Sequence, residues 1–154
     1  MENVKNLDKS RVVSIIQRLD FFRDFKPPES ETILQFYANF ILFQKGEDII
    51  VEGDKDDNCF YLLLTGKLNV TKNGKENTLA QLTPGEMFGE VSYLTGKPRT
   101  TSVHAEDMAM VLKLDRAMLS EVGPTIREKI KDKILEKLVS RLDKMNNMLL
   151  KLQV

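Results

Sequence analysis

Residues 88–103 contain the side chains whose types and spacing are best suited to chemistry. Gly89 lets the backbone pass close to a ligand, and residues 90–94 can form one helical turn whose N–H groups point at an anion. Arg99 presents a planar fork of donors that suits two phosphate oxygens. The segment therefore predicts an anion-binding site made of one short turn and one arginine.

The other polar side chains of this segment narrow the choice of anion. Thr100 and Thr101 add hydroxyl donors next to Arg99. Glu90 would be repelled by a phosphate, so we assign it a sugar hydroxyl, from which a carboxylate accepts hydrogen bonds. One negative charge beside a ribose is the charge distribution of a 3′,5′-cyclic nucleotide. ATP fits less well, because the sequence has no G-x-x-x-x-G-K-[ST] loop for a triphosphate and its magnesium.

Short strand-like segments lie on both sides of this site in the sequence. They are rich in Ile, Val, Phe, Tyr and Leu and are separated by turn signals, of which Asn73-Gly74 is the strongest hairpin signal. The predicted strands lie near 40–44, 48–52, 59–65, 67–72, 77–82, 100–105 and 109–115. Many short strands with glycine turns indicate a closed roll or jelly roll over residues 40–115.

Two helices are predicted before the roll, within residues 8–37. Apolar residues at helical spacing predict the first over 8–22, with Asp8 or Ser10 as its N-cap. The prolines at positions 27 and 28 should end that region, and Ser30 should cap a second, short helix.

A long helical region is predicted after the roll, over residues 116–154. Thr125 and Glu128 have the spacing of a capping box. A first apolar stripe has four-residue spacing and should pack on the roll: Ile126, Ile130 and Ile134. A second stripe alternates steps of three and four residues, as in a coiled coil, and should meet a second copy of the chain: Leu135, Leu138, Leu142, Met145, Leu149 and Leu152. The alternative is an amphipathic helix that folds back on its own domain.

Residues 88–103 resemble the phosphate-binding cassette of the cyclic nucleotide-binding domain family. That family includes the regulatory subunits of cAMP-dependent kinase, nucleotide-gated channels and bacterial catabolite activator proteins. Its F-G-E opening matches residues 88–90, and its P-R followed by small or hydroxyl residues matches residues 98–101. Residues 45–54 resemble the first hairpins of the family and residues 60–70 the next one. Four matching motifs in the same order identify the chain as a member of this family.

The resemblance implies one domain over residues 1–154 with a mainly β fold. That fold is a double-stranded β-roll with N-terminal helices and a long C-terminal helix. By position, Glu90 would hold the ribose 2′-hydroxyl and Arg99 the cyclic phosphate, with the backbone amides of residues 89–92 completing the cradle. The ligand-binding residues implied in this way are Phe88, Gly89, Glu90, Val91, Ser92, Arg99, Thr100 and Thr101. The ligand is cAMP or cGMP, and we favour cAMP because it is the commoner ligand in the family.

Composition favours a soluble globular protein of the cytoplasm. Lys plus Arg number 23 and Asp plus Glu also 23, so no net field attracts nucleic acid or an anionic membrane. The first residues lack the apolar stretch of a secretory signal, and the single cysteine, Cys59, cannot form an internal disulfide. A run of basic residues is interpreted as a solvated helix face without a nucleic-acid role: Lys129, Lys133, Lys137 and Arg141.

Two other functions remain open at this point. A cupin-like metalloenzyme would share the roll, but its metal site needs several His and carboxylate ligands, and this sequence has only His104. Cys59 has only that histidine as a base, and no Gly-x-Ser-x-Gly elbow is present. We therefore expect no enzyme activity, no metal and no cofactor. The second alternative is a dimerising scaffold of the same fold whose pocket binds nothing.

Overall fold

The computed structural model describes residues 2–3, 9–55 and 58–153. The helices are α1 (Lys9–Arg18), α2 (Pro27–Leu34), α3 (Glu90–Thr95), α4 (Arg116–Glu121) and α5 (Pro124–Leu152), with 3-10 turns at Asp20–Phe22 and Tyr37–Asn39. The strands are β1 (Glu2–Asn3), β2 (Phe40–Phe43), β3 (Asp48–Ile50), β4 (Cys59–Thr65), β5 (Leu68–Thr71), β6 (Thr78–Leu82), β7 (Met87–Phe88), β8 (Ser102–Ala105) and β9 (Ala109–Asp115).

The strands form two antiparallel sheets that share one apolar interior. The larger sheet has the order β1-β2-β9-β4-β7 and the smaller sheet the order β3-β8-β5-β6. Strands distant in sequence are therefore neighbours, as β4 and β9 are. This arrangement is the predicted double-stranded β-roll, mainly β with flanking helices and a long C-terminal helix.

The larger sheet is buried on both faces. Tyr61 and Leu63 of β4 belong to the core between the two sheets, whereas Leu62 and Leu64 belong to a second core on the helical side. Because successive side chains of a strand point to opposite faces, β4 is a continuous apolar run. The second core also contains the first apolar stripe of α5, which is Ile126, Ile130 and Ile134. The predicted packing of this stripe on the roll is confirmed.

The N-terminal helices end and begin at other residues than predicted. α1 ends at Arg18 rather than at 22, because Leu19 is extended with φ −86° and ψ 130° and the chain then makes a 3-10 turn. α2 begins at Pro27 instead of being preceded by it. A proline is favoured there, because the first helical N–H has no partner inside the helix.

The two described residues that were predicted to cap these helices do not do so. Ser10 and Ser30 lie inside α1 and α2, and Asp8 lies outside the described residues. The start of α2 is held instead by Glu29, whose carboxylate accepts a hydrogen bond from the backbone N–H of Lys26 at 2.8 Å. Several Ser, Asp and Glu residues near a helix start offer equivalent caps, so the sequence alone does not choose among them.

The C-terminal region begins with a well-defined cap. The carboxylate of Asp115 accepts a hydrogen bond from the N–H of Met118 at 2.8 Å and so caps α4. α5 follows directly, with Gly123 at φ 91° as its N-cap. Thr125 therefore lies inside the helix, and the predicted capping box with Glu128 is wrong. Within the described ranges, no helix is both long enough and apolar enough to cross a bilayer.

Candidate functional site

The predicted helical turn over residues 90–94 is present as α3. Gly89 precedes it with φ 80°, a left-handed conformation that L side chains rarely adopt. A Cβ at this position would lie 2.8 Å from Nη1 of Arg99 and 3.0 Å from Cδ1 of Ile50. Both the backbone angle and the lack of space therefore require glycine between β7 and α3.

Arg99 is fixed by backbone groups of three separate segments. Its side chain is only 4% exposed. Nη1 donates a hydrogen bond to the carbonyl of Gly89 at 2.5 Å, and Nη2 donates to the carbonyl of Cys59 at 2.6 Å. Its own N–H donates to the carbonyl of Asp54 at 3.0 Å, and its carbonyl accepts from the N–H of Gly53 at 2.8 Å. A long cationic side chain is thus held in one orientation beside α3.

Glu90 is a buried carboxylate, 2% exposed, at the start of α3. Its Oε1 lies 2.8 Å from Nζ of Lys137, a residue of α5. Lys137 also donates a hydrogen bond to the carbonyl of Met87. Nη1 of Arg141, one helical turn further along α5, lies 3.9 Å from the same carboxylate oxygen. The long helix therefore supplies the positive charge that offsets the burial of Glu90.

One cavity of about 450 Å³ lies between α3, the smaller sheet and α5. This volume is in the range of pockets that bind small molecules. All eight residues predicted to bind the ligand line it, namely Phe88, Gly89, Glu90, Val91, Ser92, Arg99, Thr100 and Thr101. Apolar side chains from the four strands of the smaller sheet complete one wall of the cavity, namely Ile50, Val70, Ala80, Leu82 and Val103. The cavity thus combines a buried cation, a buried carboxylate and an apolar wall.

The eight residues differ in what holds them. Phe88 is buried, and its ring stacks on Tyr61 with centroids 5.2 Å apart, so it forms part of the core as well as of the cavity. The hydroxyl of Ser92 lies 3.5 Å from the carbonyl of Pro98, which links the two ends of the cassette. Thr100 is exposed at the edge of the cavity. The side chains most firmly placed for a ligand are therefore those of Glu90 and Arg99.

The basic run of α5 was expected to be a solvated face, and the structure corrects this. Lys129 pairs with Glu29 at 2.6 Å, and Lys133 pairs with Asp24 at 2.9 Å. These hydrogen bonds lower the pKa of both carboxyl groups, and the bond to Asp24 raises the pKa of Lys133. Lys137 belongs to the same run.

Lys137 and Arg141 line the cavity, and the sequence interpretation missed both. The available signal was the spacing of four residues, which places all members of the run on one side of α5. Such a pattern occurs on most exposed helices, and only the fold shows that this side faces other elements. The sequence alone therefore does not distinguish these two cations from solvated ones.

The single histidine and cysteine lie in structural positions. His104 is on β8, with Nε2 3.5 Å from Nδ2 of Asn69 on the neighbouring strand. Cys59 is buried at the start of β4, and its carbonyl holds Arg99. Among the residues that the structure describes, no three His, Cys, Asp or Glu side chains are grouped closely enough to hold a metal ion.

Curated relatives match a little more than half to two thirds of the chain. The chain is 36% identical over 86 residues to a cAMP-dependent protein kinase regulatory subunit of Debaryomyces hansenii, covering 55% of this chain and 19% of that protein. It is 32% identical over 109 residues to a CRP-like cAMP-activated global transcriptional regulator of Mycobacterium tuberculosis, covering 68% of this chain and 47% of the regulator. The chain thus spans about a fifth to a half of the length of these relatives.

Solved structures share the fold over most of the chain. A structure described as Sp-2Cl-cAMPS bound to PKAR CBD2 is 26% identical, with a TM-score of 0.66 and coverage of 92% of this chain and 90% of that one. A cyclic nucleotide-binding domain of Methylobacillus flagellatus has a TM-score of 0.70 at 24% identity, covering 92% and 82% of the two chains. The second likeness concerns the fold alone.

A sequence model of the family named "Cyclic nucleotide-binding domain" matches residues 40–123, which is more than half of the chain. The matched range contains the roll and the complete cassette. The site geometry, the fold and the relatives agree with this match. The chain therefore belongs to the cyclic nucleotide-binding domain family.

Proposed function

We propose that this domain is a cAMP sensor that catalyses no reaction and transmits ligand binding through its C-terminal helices. The observation that carries the proposal is the cavity of about 450 Å³ with buried Arg99 and buried Glu90 in its lining. The guanidinium of Arg99 offers donors that suit a phosphate, and the carboxylate of Glu90 accepts hydrogen bonds from hydroxyl groups. A small anion with a sugar hydroxyl would use both groups.

The proposed ligand pose follows from the chemistry of the lining residues. The guanidinium of Arg99 holds the cyclic phosphate, together with the backbone N–H groups of residues 89–92. Glu90 accepts the ribose 2′-hydroxyl. The ribose and base extend along the apolar wall, with Thr100 and Thr101 at the edge of the cavity. Residues 1–154 act as one domain of the sensor.

We propose cAMP as the preferred ligand and cGMP as the weaker one. The support is that the relatives from Debaryomyces hansenii and Mycobacterium tuberculosis are named as cAMP-dependent and cAMP-activated proteins. We place the domain in the cytoplasm, because its single cysteine suits a reducing compartment.

The output of the sensor is proposed to be a homodimer formed through α5. The second copy is the fitting partner, because the apolar spacing of this helix matches a self-complementary coiled-coil seam. The proposed seam is Leu135, Leu138, Leu142, Met145, Leu149 and Leu152. Leu138 packs partly against the core of its own domain, while Val139 beside it is exposed. The exposed apolar face of α5 therefore includes Val139 in addition to the residues of the seam.

A binding experiment with cAMP, cGMP and AMP tests the proposal. Ligand at about 100 times its dissociation constant adds about 2.7 kcal/mol of stability, which corresponds to a rise in melting temperature of roughly 5 to 10 °C for a chain of this size. We expect cAMP to give the largest rise at a fixed concentration and AMP none. If neither cyclic nucleotide raises the midpoint, the chain is a scaffold of the same fold with a non-binding pocket.

Two variants test the role of Arg99 in this experiment. Arg99→Lys keeps the charge but loses the fork of donors, and Lys97→Gln removes a neighbouring exposed charge as the matched control. Dissociation constants are measured by calorimetry at a temperature where circular dichroism shows each variant folded. We expect Arg99→Lys to weaken cAMP by about 10- to 100-fold, the value of a charged hydrogen bond. Equal weakening by Lys97→Gln would contradict the assignment.

A further inference from the structure

The cation closest to the cassette carboxylate comes from outside the cassette. Nζ of Lys137 lies 2.8 Å from Oε1 of Glu90, and the same ammonium donates to the carbonyl of Met87 in β7. Lys137 is in the middle of α5, whereas Glu90 opens α3. One side chain therefore connects the long helix to both the strand before the cassette and the cassette itself.

The charges of the cavity explain why such a contact is needed. Glu90 is almost completely buried, and the proposed ligand brings a further negative charge into the same cavity. A buried carboxylate without a cation would repel that ligand and would itself be costly. Lys137 offsets the charge of Glu90, and in the proposed pose Arg99 holds the phosphate. The ammonium of Lys137 thus reduces the repulsion between the Glu90 carboxylate and the phosphate of the proposed ligand.

The position of Lys137 along α5 matters as much as its charge. Ile134, one turn before it, is buried in the core of the domain, whereas Leu142, just over a turn beyond it, is exposed. Lys137 therefore lies where α5 leaves the domain. The carboxylate of Glu90 contacts α5 at this point.

We propose that Lys137 is a positioning residue for the ribose: it holds the Glu90 carboxylate toward the ligand and passes occupancy of the sugar site to α5. This inference rests on the proposed function, because it requires a ligand with a ribose 2′-hydroxyl. Lys137 acts through Glu90 and not by holding the phosphate. Its loss consequently affects recognition of the 2′-hydroxyl more than recognition of the rest of the ligand.

The experiment compares cAMP with 2′-deoxy-cAMP, which lacks the hydroxyl that Glu90 accepts. Dissociation constants for both are measured on the full chain as wild type, Lys137→Met and Lys137→Arg. Lys133→Met is the matched control, because Lys133 lies one turn earlier on the same helix and pairs with Asp24 instead. Wild type should bind the deoxy ligand about 10- to 100-fold more weakly, the value of a hydrogen bond to a charged group.

The ratio of the dissociation constants for 2′-deoxy-cAMP and cAMP should fall to about threefold in Lys137→Met. The reason is that the Glu90 carboxylate, without its cation, is no longer held toward the ligand. Lys137→Arg should restore the ratio, and Lys133→Met should leave it at the wild-type value. A purely structural role of Lys137 would weaken both ligands equally and leave the ratio unchanged, which would overturn the inference. An unchanged ratio with tight binding of cAMP leaves the proposed function standing, whereas no binding by wild type overturns both.

Hydrogen exchange gives a second measurement that does not depend on weak affinities. Saturating cAMP should slow amide exchange over residues 137–145 in wild type and in Lys137→Arg. In Lys137→Met the amides of residues 89–95 should still be protected, but those of residues 137–145 should not. Equal protection of both segments in Lys137→Met would show that α5 senses the ligand by another route and would overturn the inference.

Discussion

The two halves of α5 carry apolar residues at helical spacing, but their surroundings are opposite. Ile130 in the first half is 1% exposed, whereas Leu142 in the second half is 58% exposed. The first half covers the outer face of the larger sheet, whereas all of residues 139–152 in the second half are exposed, although Arg141 still lines the cavity. Periodicity thus identifies which side of a helix is apolar, and only the fold shows whether this chain covers that side.

The basic residues of α5 repeat the same contrast. In the first, packed half of α5, Lys129 and Lys133 form ion pairs with the N-terminal helical region, and Lys137 forms one with the cassette. Lys144 and Lys151 in the second half are exposed and form no ion pair with another described residue. The packed half is therefore held by both apolar contacts and ion pairs, and the predictions below separate these contributions.

The largest expected effect comes from removing the apolar contact of the packed half. Ile130→Ala should lower the free energy of unfolding by about 2–5 kcal/mol, because it leaves a cavity in a filled core. Leu142→Ala is the matched change in the exposed half and should lie within about 0.5 kcal/mol of wild type. Urea denaturation at a concentration low enough to keep the chain monomeric measures both. Equal losses would mean that the second half packs on the domain.

Disruption of the exposed half should act on association and leave folding intact. Leu142→Lys combined with Leu149→Lys places charges in the proposed seam and should weaken the dimer by roughly 10⁴-fold or more, since the dimer loses four leucines that each contribute about 1.5–3 kcal/mol. Ser140→Lys with Asn147→Lys adds the same charges to the opposite side of the helix and should leave the dimer unchanged. Sedimentation equilibrium measures both pairs. A wild type that stays monomeric at high concentration contradicts the proposed dimer.

The smallest effect is expected from the ion pairs of the packed half. The pKa values of Asp24 and Glu29 are lowered by hydrogen bonds from Lys133 and Lys129. A carboxyl group with a lowered pKa contributes stability that is complete above its ordinary pKa and is lost as the pH falls through the folded value. The free energy of unfolding should therefore fall toward pH 3.

Neutral variants provide the control for this acid dependence. In Asp24→Asn with Glu29→Gln the two groups no longer titrate, so the unfolding free energy should fall less steeply between about pH 5 and pH 3. Urea denaturation across this range measures the two slopes. Identical slopes would show that these ion pairs contribute nothing to the attachment of α5.

Much of the roll was predictable because its signals are local. β4 is a continuous run of mostly apolar residues and β9 is mostly apolar, and both were predicted with the bounds that the structure has. β7 was missed because two residues show no periodicity. The strand predicted from residue 100 begins at Ser102, because Thr100 and Thr101 form a bend at the edge of the cavity.

The candidate site was predictable where it is contiguous in sequence. The glycine, carboxylate and arginine of the cassette lie within residues 88–103, and the structure brings all of the predicted residues to one cavity. Lys137 reaches the same cavity from a distant helix, and no local pattern indicates which carboxylate a surface lysine will meet. The sequence also does not predict where the packed stripe of α5 ends and the exposed stripe begins. Leu138 fits the coiled-coil spacing but packs partly against the core of its own domain.

α5 is one uninterrupted helix and should therefore move as a rigid body. Residues 125–152 contain neither proline nor glycine, the usual causes of a kink. At 1.5 Å per residue, the part of the helix from Lys137 to Leu152 is about 22 Å long. A tilt of about 10° at Lys137 would therefore displace the far end by about 4 Å. If the proposed coupling through Glu90 tilts the helix by this angle, the far end moves by about the size of a side chain.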